Sequence, residues 1–195
     1  MTEITPSKKG EKRRAEILSA ARTQLIEGGY EGFSMREVAA SLGTKLGHIQ
    51  YYFASKGELL ETLIRDEFDS NIAVASTIIE QASEAEPALD QTVRTLVDLW
   101  YSEGKYVYAL MSFLALHDAR FCALNDEINR KFYALIGGML SAHNPGLTAS
   151  QIGKRAKLIT ALMDGGLLHL HVDTDGSEAF VQDIVEAVNM ITNAG

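Results

Sequence analysis

Ser34-Met35-Arg36-Glu37-Val38-Ala39-Ala40-Ser41-Leu42-Gly43-Thr44-Lys45-Leu46-Gly47-His48-Ile49-Gln50-Tyr51-Tyr52-Phe53 is the stretch that decides the fold. Ser34 followed three residues later by Glu37 is a capping box, in which a hydroxyl and a carboxylate satisfy the backbone N–H groups that open a helix. Val38, Ala39 and Leu42 give that helix its apolar face, and Gly43 ends it. A second short helix is expected from about Lys45 to Tyr52. Ile49 and Phe53, four residues apart, then fall on one side and face inward. Thr44 is placed to cap it through its hydroxyl.

Upstream, Ile17, Leu18, Ala21 and Leu25 recur at helical spacing and predict a helix over about Lys12–Glu27, closed by Gly28-Gly29. Downstream, Ser55-Lys56-Gly57-Glu58 forms a second capping box and opens a long helix with Leu59, Leu60, Leu63 and Ile64 inside. Further helices are expected near 56–83, 87–103, 106–117, 119–143, 148–170 and 177–192. Breaks are expected at Gly104, Asn144-Pro145-Gly146 and Asp173-Thr174-Asp175-Gly176. No segment alternates with period two, so the fold class is all-α.

The pair of short helices around Gly43 has the form of a helix-turn-helix, with a small residue where the chain turns and Ala39 where the helices approach. The second helix of such a pair enters the major groove. Its outward side would carry Lys45, Leu46, Gly47, His48, Gln50 and Tyr51. Charge fits this division of labour. Residues 1–60 hold nine Lys/Arg against seven Asp/Glu, while residues 61–195 hold nine against nineteen. The excess of cations at Lys8, Lys9, Lys12, Arg13 and Arg14 suits phosphates, and the acidic remainder would stay away from DNA.

The residues Ile17-Leu18, Ala20-Ala21, Leu25, Tyr30, Phe33-Ser34, Glu37-Val38-Ala39, Leu42-Gly43, Gly47, Ile49, Tyr52-Phe53, Ser55-Lys56 and Leu59-Leu60 resemble the N-terminal domain of the tetracycline-repressor (TetR) family. The resemblance covers about residues 11–65. It implies a protein of about nine helices: a flexible basic arm (1–10), a DNA-binding head (11–65), and a body (66–195) for ligand binding and dimerisation. It implies DNA proximity for Ser34, Thr44, Tyr52 and Lys56 beside the outward residues already named, with Tyr52 and Lys56 on phosphates. Lys56 stands at a helix N-terminus, where a cation is disfavoured by the dipole, which suggests an external use. Two positions depart from the family. Lys45 stands where Ser or Thr is frequent, and Gln50 where Tyr is frequent. Glutamine pairs bidentately with adenine, so a base-reading role for Gln50 comes from its chemistry rather than from the resemblance.

The resemblance also implies a small-molecule effector, with no other cofactor. Trp100, Tyr101, Tyr108, Met111, Phe113, His117 and Met163 are the expected pocket residues, apolar walls with a few polar tips. Core packing is the competing use for each. Leu158, Leu162, Leu167, Phe180, Ile184, Val188 and Ile191 are the expected dimer face, and the sequence does not divide these side chains between a partner and the chain's own core. Asp164-Gly165 looks like a feature of some branches of the family.

Other classes fit poorly. There is no Gly-rich phosphate loop and no recognisable nucleophile–base set, so no enzyme is expected. His169 and His171 are two residues apart and point opposite ways on a helix, so no metal site is expected there. Apolar residues make up 46% of the chain without any run near the ~20 residues that span a bilayer, so no membrane partner is expected. The single cysteine, Cys122, excludes an internal disulfide and is expected as a small buried residue. A cytoplasmic protein is the resulting reading. A DNA-binding protein without a ligand is the remaining alternative, and a solidly packed body would favour it.

Overall fold

The computed structural model of the chain describes residues 8–82, 85–170 and 177–194. These form α1 (Lys8–Gly32), α2 (Met35–Ser41), α3 (Leu46–Tyr52), α4 (Lys56–Gln81), α5 (Ala85–Leu99), a π-helical turn (Trp100–Gly104), α6 (Lys105–Ala115), α7 (Ala119–His143), α8 (Ala149–Leu170) and α9 (Ser177–Asn193). Among the described residues there is no strand.

Helix α4 organises the molecule. Its 26 residues extend about 39 Å at 1.5 Å per residue. Leu59, Leu60, Leu63, Ile64, Phe68 and Ala75 form one buried stripe along it at helical spacing. The first part of that stripe joins Ile17, Ala21, Leu25, Phe33, Val38, Ile49 and Phe53 in a head built from α1, α2 and α3. The later part faces α5 and α7 in the body. Ion pairs fix the register: Arg22 to Glu67 ties α1 to α4 (3.1 Å), and Lys131 to Asp69 ties α7 to α4 (2.7 Å). Being partly exposed, they set geometry more than stability.

Helix ends follow the local chemistry. Ser34 Oγ accepts from Glu37 N (3.2 Å) and Ser55 Oγ from Glu58 N (3.1 Å). A third capping box, not singled out in the sequence, opens α8: Gln151 N donates to Thr148 Oγ1 (3.3 Å) and Thr148 N to Gln151 Oε1 (2.9 Å). At the far end of the body, the buried Arg155 donates to the carbonyls of Thr192 (2.8 Å) and Ala194, placing a permanent cation on the C-terminus of α9.

Four expectations need correction. Helix α1 begins at Lys8, so Lys8–Gly10 of the expected arm are helical, and it resumes beyond a kink at Gly29 (φ 62°) to reach Gly32. Thr44 is not the cap of α3. Lys45 holds that position without a side-chain cap, and the backbone of Thr44 instead closes the turn on Ala39 O (2.9 Å). Gly104 does not interrupt the chain. The backbone stays helical through the π turn, where a Cβ on Gly104 would lie 2.9 Å from the carbonyl oxygen of Leu99. Cys122 is exposed, because Phe121 and Leu124 take the inward face of α7.

Candidate nucleic-acid interface and interior cavity

The turn between α2 and α3 is made by Leu42 and Gly43. Gly43 adopts φ 60°, a left-handed conformation that costs glycine least. Its N–H donates to Ala40 O (3.0 Å), so the chain reverses without losing backbone partners. Ile49 and Phe53 are fully buried and lock α3 onto the head. This fixes the rotation of α3 and leaves Lys45, Gly47, His48, Gln50 and Tyr51 exposed on the other side, with Tyr51 82% exposed. Ser34, Thr44, Leu46, Tyr52 and Lys56 are half-buried at its margins. Tyr52 meets both His48 (5.5 Å between ring centroids) and Tyr51 (5.1 Å) edge-on, which steadies the exposed rings. A Cβ on Gly47 would find no heavy atom within 4 Å, so no steric need inside the chain requires glycine there.

Two arginines expected to meet phosphates are engaged by the head. Arg14 donates to Tyr52 O (3.2 Å) at the C-terminus of α3, and its guanidinium lies 4.3 Å from the centre of the Phe53 ring. Arg13 donates to His48 Nε2 (3.2 Å) and pairs with Glu16 (2.8 Å). Lys56 is likewise drawn inward. Its ammonium donates to Phe33 O (2.8 Å) and sits 4.2 Å from the centre of the Tyr30 ring. Desolvation holds its pKa below the ordinary lysine value. The cation at the start of α4 therefore has partners within the head itself. Lys45, by contrast, is fully outward.

The body contains a cavity of about 320 Å³ between α4, α6, α7 and α8. Phe68, Tyr108, Met111, Ile128 and Phe132 supply its apolar wall. Phe68 and Tyr108 pack at 4.3 Å, and Trp100 backs them at 4.6 Å from Tyr108 and 5.7 Å from Phe132. The polar lining is Lys105, Ser112, Asn125, Asn129, Thr160 and Asp164. Thr160 is turned back onto Ala156 O (2.9 Å). Asp164 is exposed in the cavity wall, with protein atoms crowded about its carboxyl. Desolvation raises its carboxyl from the usual carboxylate range to about 6. Burial pushes the Tyr108 hydroxyl well above its ordinary value, and the charges of Asp164 and Glu67 push it further.

Of the expected pocket residues, Tyr108 and Met111 line this cavity. Trp100 stands behind the wall and Met163 is buried in the core beside Asp164. Tyr101 is half-buried, outside the lining. Phe113 and His117 are exposed and stack on each other at 4.7 Å. Phe113 lies on a different face of α6 from Tyr108, His117 follows the end of that helix, and Phe113 meets Tyr30 of the head at 6.0 Å. Asp164, Asn125 and Asn129 were not foreseen as lining. Asn125 and Asn129 lie four apart on α7 beside charged neighbours and gave no sequence signal, and Asp164 was noted only as part of the Asp164-Gly165 pair.

Of the expected dimer face, Ile184 and Val188 are buried within the chain itself, where α9 packs on α8. A side chain covered by its own chain has no area left for a partner. Leu158 is 49% exposed, while Leu162, Phe180 and Ile191 are half-buried. The side chain of Leu167 lies outside the described residues, as do His171 and Asp173. The exposed His169 faces the Phe180 ring at 6.3 Å. Among the described residues no helix is long and apolar enough to cross a membrane.

Comparison with known proteins bears on both parts of the molecule. Residues 17–63 match the family model of bacterial regulatory proteins, tetR family. The HTH-type transcriptional regulator PksA of Bacillus subtilis is 27% identical over 130 residues, which is 60% of this chain and 63% of that protein. The chain thus aligns with less than two thirds of that relative's length. A transcriptional regulator from Rhodococcus sp. Rha1 superposes with a TM-score of 0.79 at 22% identity, covering 91% of this chain and 95% of that one. A Saccharomonospora viridis protein solved in complex with choline superposes with a TM-score of 0.77 at 19% identity, covering 94% and 97%. At these identities the solved structures speak for the fold: a small helical head on a larger helical body. The matched stretch, which holds the turn at Gly43 and the buried Ile49 and Phe53, is similar to bacterial regulatory proteins of the tetR family.

Proposed function

We propose that the chain is a DNA-binding transcriptional repressor that acts in the cytoplasm as a homodimer on a palindromic operator and is released by a small molecule held in its body. The observation that carries the reading is the outward set Lys45, Gly47, His48, Gln50 and Tyr51, presented on a helix whose rotation Ile49 and Phe53 fix. His48 and Gln50 are its base readers, and Lys45 with Lys8, Lys9 and Lys12 its phosphate contacts. Residues 11–65 act as the reading head and 66–195 as the sensing and dimerising body, with Leu158, Leu162, Phe180 and Ile191 on the partner face. Nothing in this reading calls for a catalytic step.

The cavity favours an effector over the ligand-free alternative, which a solidly packed body would have supported. The choline complex of a protein with the same fold supports a small molecule at this level of architecture. Coupling to the head has a physical route. Helix α4 carries Phe68 into the cavity and Leu59 to Ile64 into the head, and α6 carries Tyr108 to the cavity and Phe113 to Tyr30. An effector releases DNA only if it binds better to the arrangement that misfits the operator.

The test is selection of duplexes from a random pool by the full chain, followed by footprinting and a salt titration. A two-fold site with affinity falling steeply as salt rises is the expected result. Affinity that stays flat from low to physiological salt, or a bound species containing one copy of the chain, overturns the reading.

A further inference from the structure

We propose that the cavity takes a small protonated amine with an apolar body, its ammonium seated on the Asp164 carboxylate. The inference rests on the effector reading above and adds the chemical class of the effector. Its first support is a missing partner. Among the described residues, no hydrogen bond or ion pair reaches the Asp164 side chain, which stands exposed in the wall of the cavity that Phe68, Tyr108, Met111, Ile128 and Phe132 also line. A carboxylate beside apolar side chains and without a partner in the chain is open to a cation that enters the cavity.

The second support is the charge around it. Helix α6 faces the cavity with Lys105 and Tyr108, α7 with the neutral Asn125 and Asn129, and α8 with Thr160 beside Asp164 itself. From α4 the charge of Glu67 reaches Tyr108, adding to the negative field. Lys105 is the one cation in the lining. Its ammonium lies within 5.5 Å of the rings of Tyr101 and Tyr106, and it makes no ion pair with Asp164. Asp164 is therefore the charge of the cavity left without a partner. A primary ammonium brings three donors, which suit Asp164 and the carbonyl oxygens of Asn125 or Asn129. The rings of Phe68, Tyr108 and Phe132 suit an aromatic or alkyl body.

The consequence is a pH dependence with a definite sign. Protonated Asp164 is neutral and loses its hold on a cation, so an amine binds more weakly below pH about 6. An acid that bound by sharing the proton would show the opposite slope.

The experiment uses the full chain and three probes of one shape: 2-phenylethylammonium, 2-phenylethanol and 3-phenylpropanoate. Calorimetry gives affinities, and fluorescence of Trp100, the only tryptophan, reports on the ring cluster beside the cavity. The expected result is that the ammonium binds at least tenfold tighter than the carboxylate at pH 7.5. Its affinity should fall roughly tenfold between pH 7.5 and pH 5. Asp164→Asn should remove both the charge preference and the pH dependence while leaving 2-phenylethanol binding in place. The pH arm on the unaltered protein stands even if that variant folds poorly. Binding of the alcohol with equal or better binding of the carboxylate at pH 7.5, or an ammonium affinity indifferent to Asp164→Asn, overturns the proposal but spares the effector reading. Failure of all three probes to bind overturns both.

Discussion

Arg13 Nε donates to His48 Nε2 at 3.2 Å, from the second turn of α1 to the exposed face of α3. A guanidinium has donors only, so the His48 nitrogen facing it carries the lone pair. Neutral His48 then holds its hydrogen on Nδ1 and offers a donor, which suits guanine N7 or O6 or thymine O4 rather than the amino groups of adenine and cytosine. His48→Ala should cost about 1–3 kcal/mol of preference at one operator position. Arg13→Gln should relax the same position, and the double variant should lose less than the sum. A double-mutant cycle on operator and random duplexes checks this, and strict additivity would confine Arg13 to a phosphate role.

Gly47 separates fold from recognition. A Cβ there meets nothing within 4 Å, and alanine inside a helix is favoured over glycine by about 0.5–1 kcal/mol. Gly47→Ala should therefore raise Tm slightly or leave it unchanged, while operator affinity falls because the methyl group stands between α3 and the duplex. Thermal denaturation and a gel-shift titration read the two effects. Unchanged binding would mean that the backbone of α3 stays clear of the bases.

Lys56 and Lys45 should respond oppositely. Lys56→Met removes the donor from the Phe33 carbonyl and should destabilise the head by about 1–3 kcal/mol, with little change in the slope of log K against log salt. Lys45→Met should leave Tm alone and reduce that slope by about one unit. If Lys56→Met instead flattens the slope at constant Tm, its ammonium leaves Phe33 for a phosphate on binding.

Asp164 should make the free protein less stable at neutral pH. Its carboxyl is raised from the ordinary 3.8 to about 6 in the fold, so the folded state holds its proton more tightly than the unfolded chain. Stability from this group is fully present below pH about 4 and is lost as pH rises through about 6. Asp164→Asn should thus raise Tm at pH 7.5, and the gain should shrink towards zero near pH 4. A gain of equal size at both pH values would point to packing rather than charge.

The head was legible in the sequence because its physics is local. The Ser34–Glu37 box, the turn at Gly43 and the spacing of Ile49 and Phe53 each act over a few residues, and each appears in the structure where the pattern puts it. The uses of Arg13, Arg14 and Lys56 were not legible. A cation near a helix end reads as free for phosphate until the fold brings Tyr52 O or Phe33 O to it, from 38 and 23 residues away. The cavity was half-legible for the same reason. Aromatic density around residue 100 marked the right neighbourhood, but the division of Tyr108 to the cavity and Phe113 to the surface depends on helix rotation. Asp164 joined the lining only once α8 packed against α7.

The π-helical turn at Trp100–Gly104 sets that rotation. Such a turn holds one residue more than an α-helical turn, so everything after it is advanced by one step of about 100° relative to α5. Loss of a single residue there would bring the next residues in line to the cavity: Tyr106, Ala109, Leu110, Ser112 and Phe113 in place of Lys105, Tyr108, Ala109, Met111 and Ser112. The chamber would lose the Lys105 ammonium and the Tyr108 ring while Asn125, Asn129 and Asp164 stayed in place. The lining of the cavity is thus open to revision by a one-codon deletion in a stretch that lies outside it.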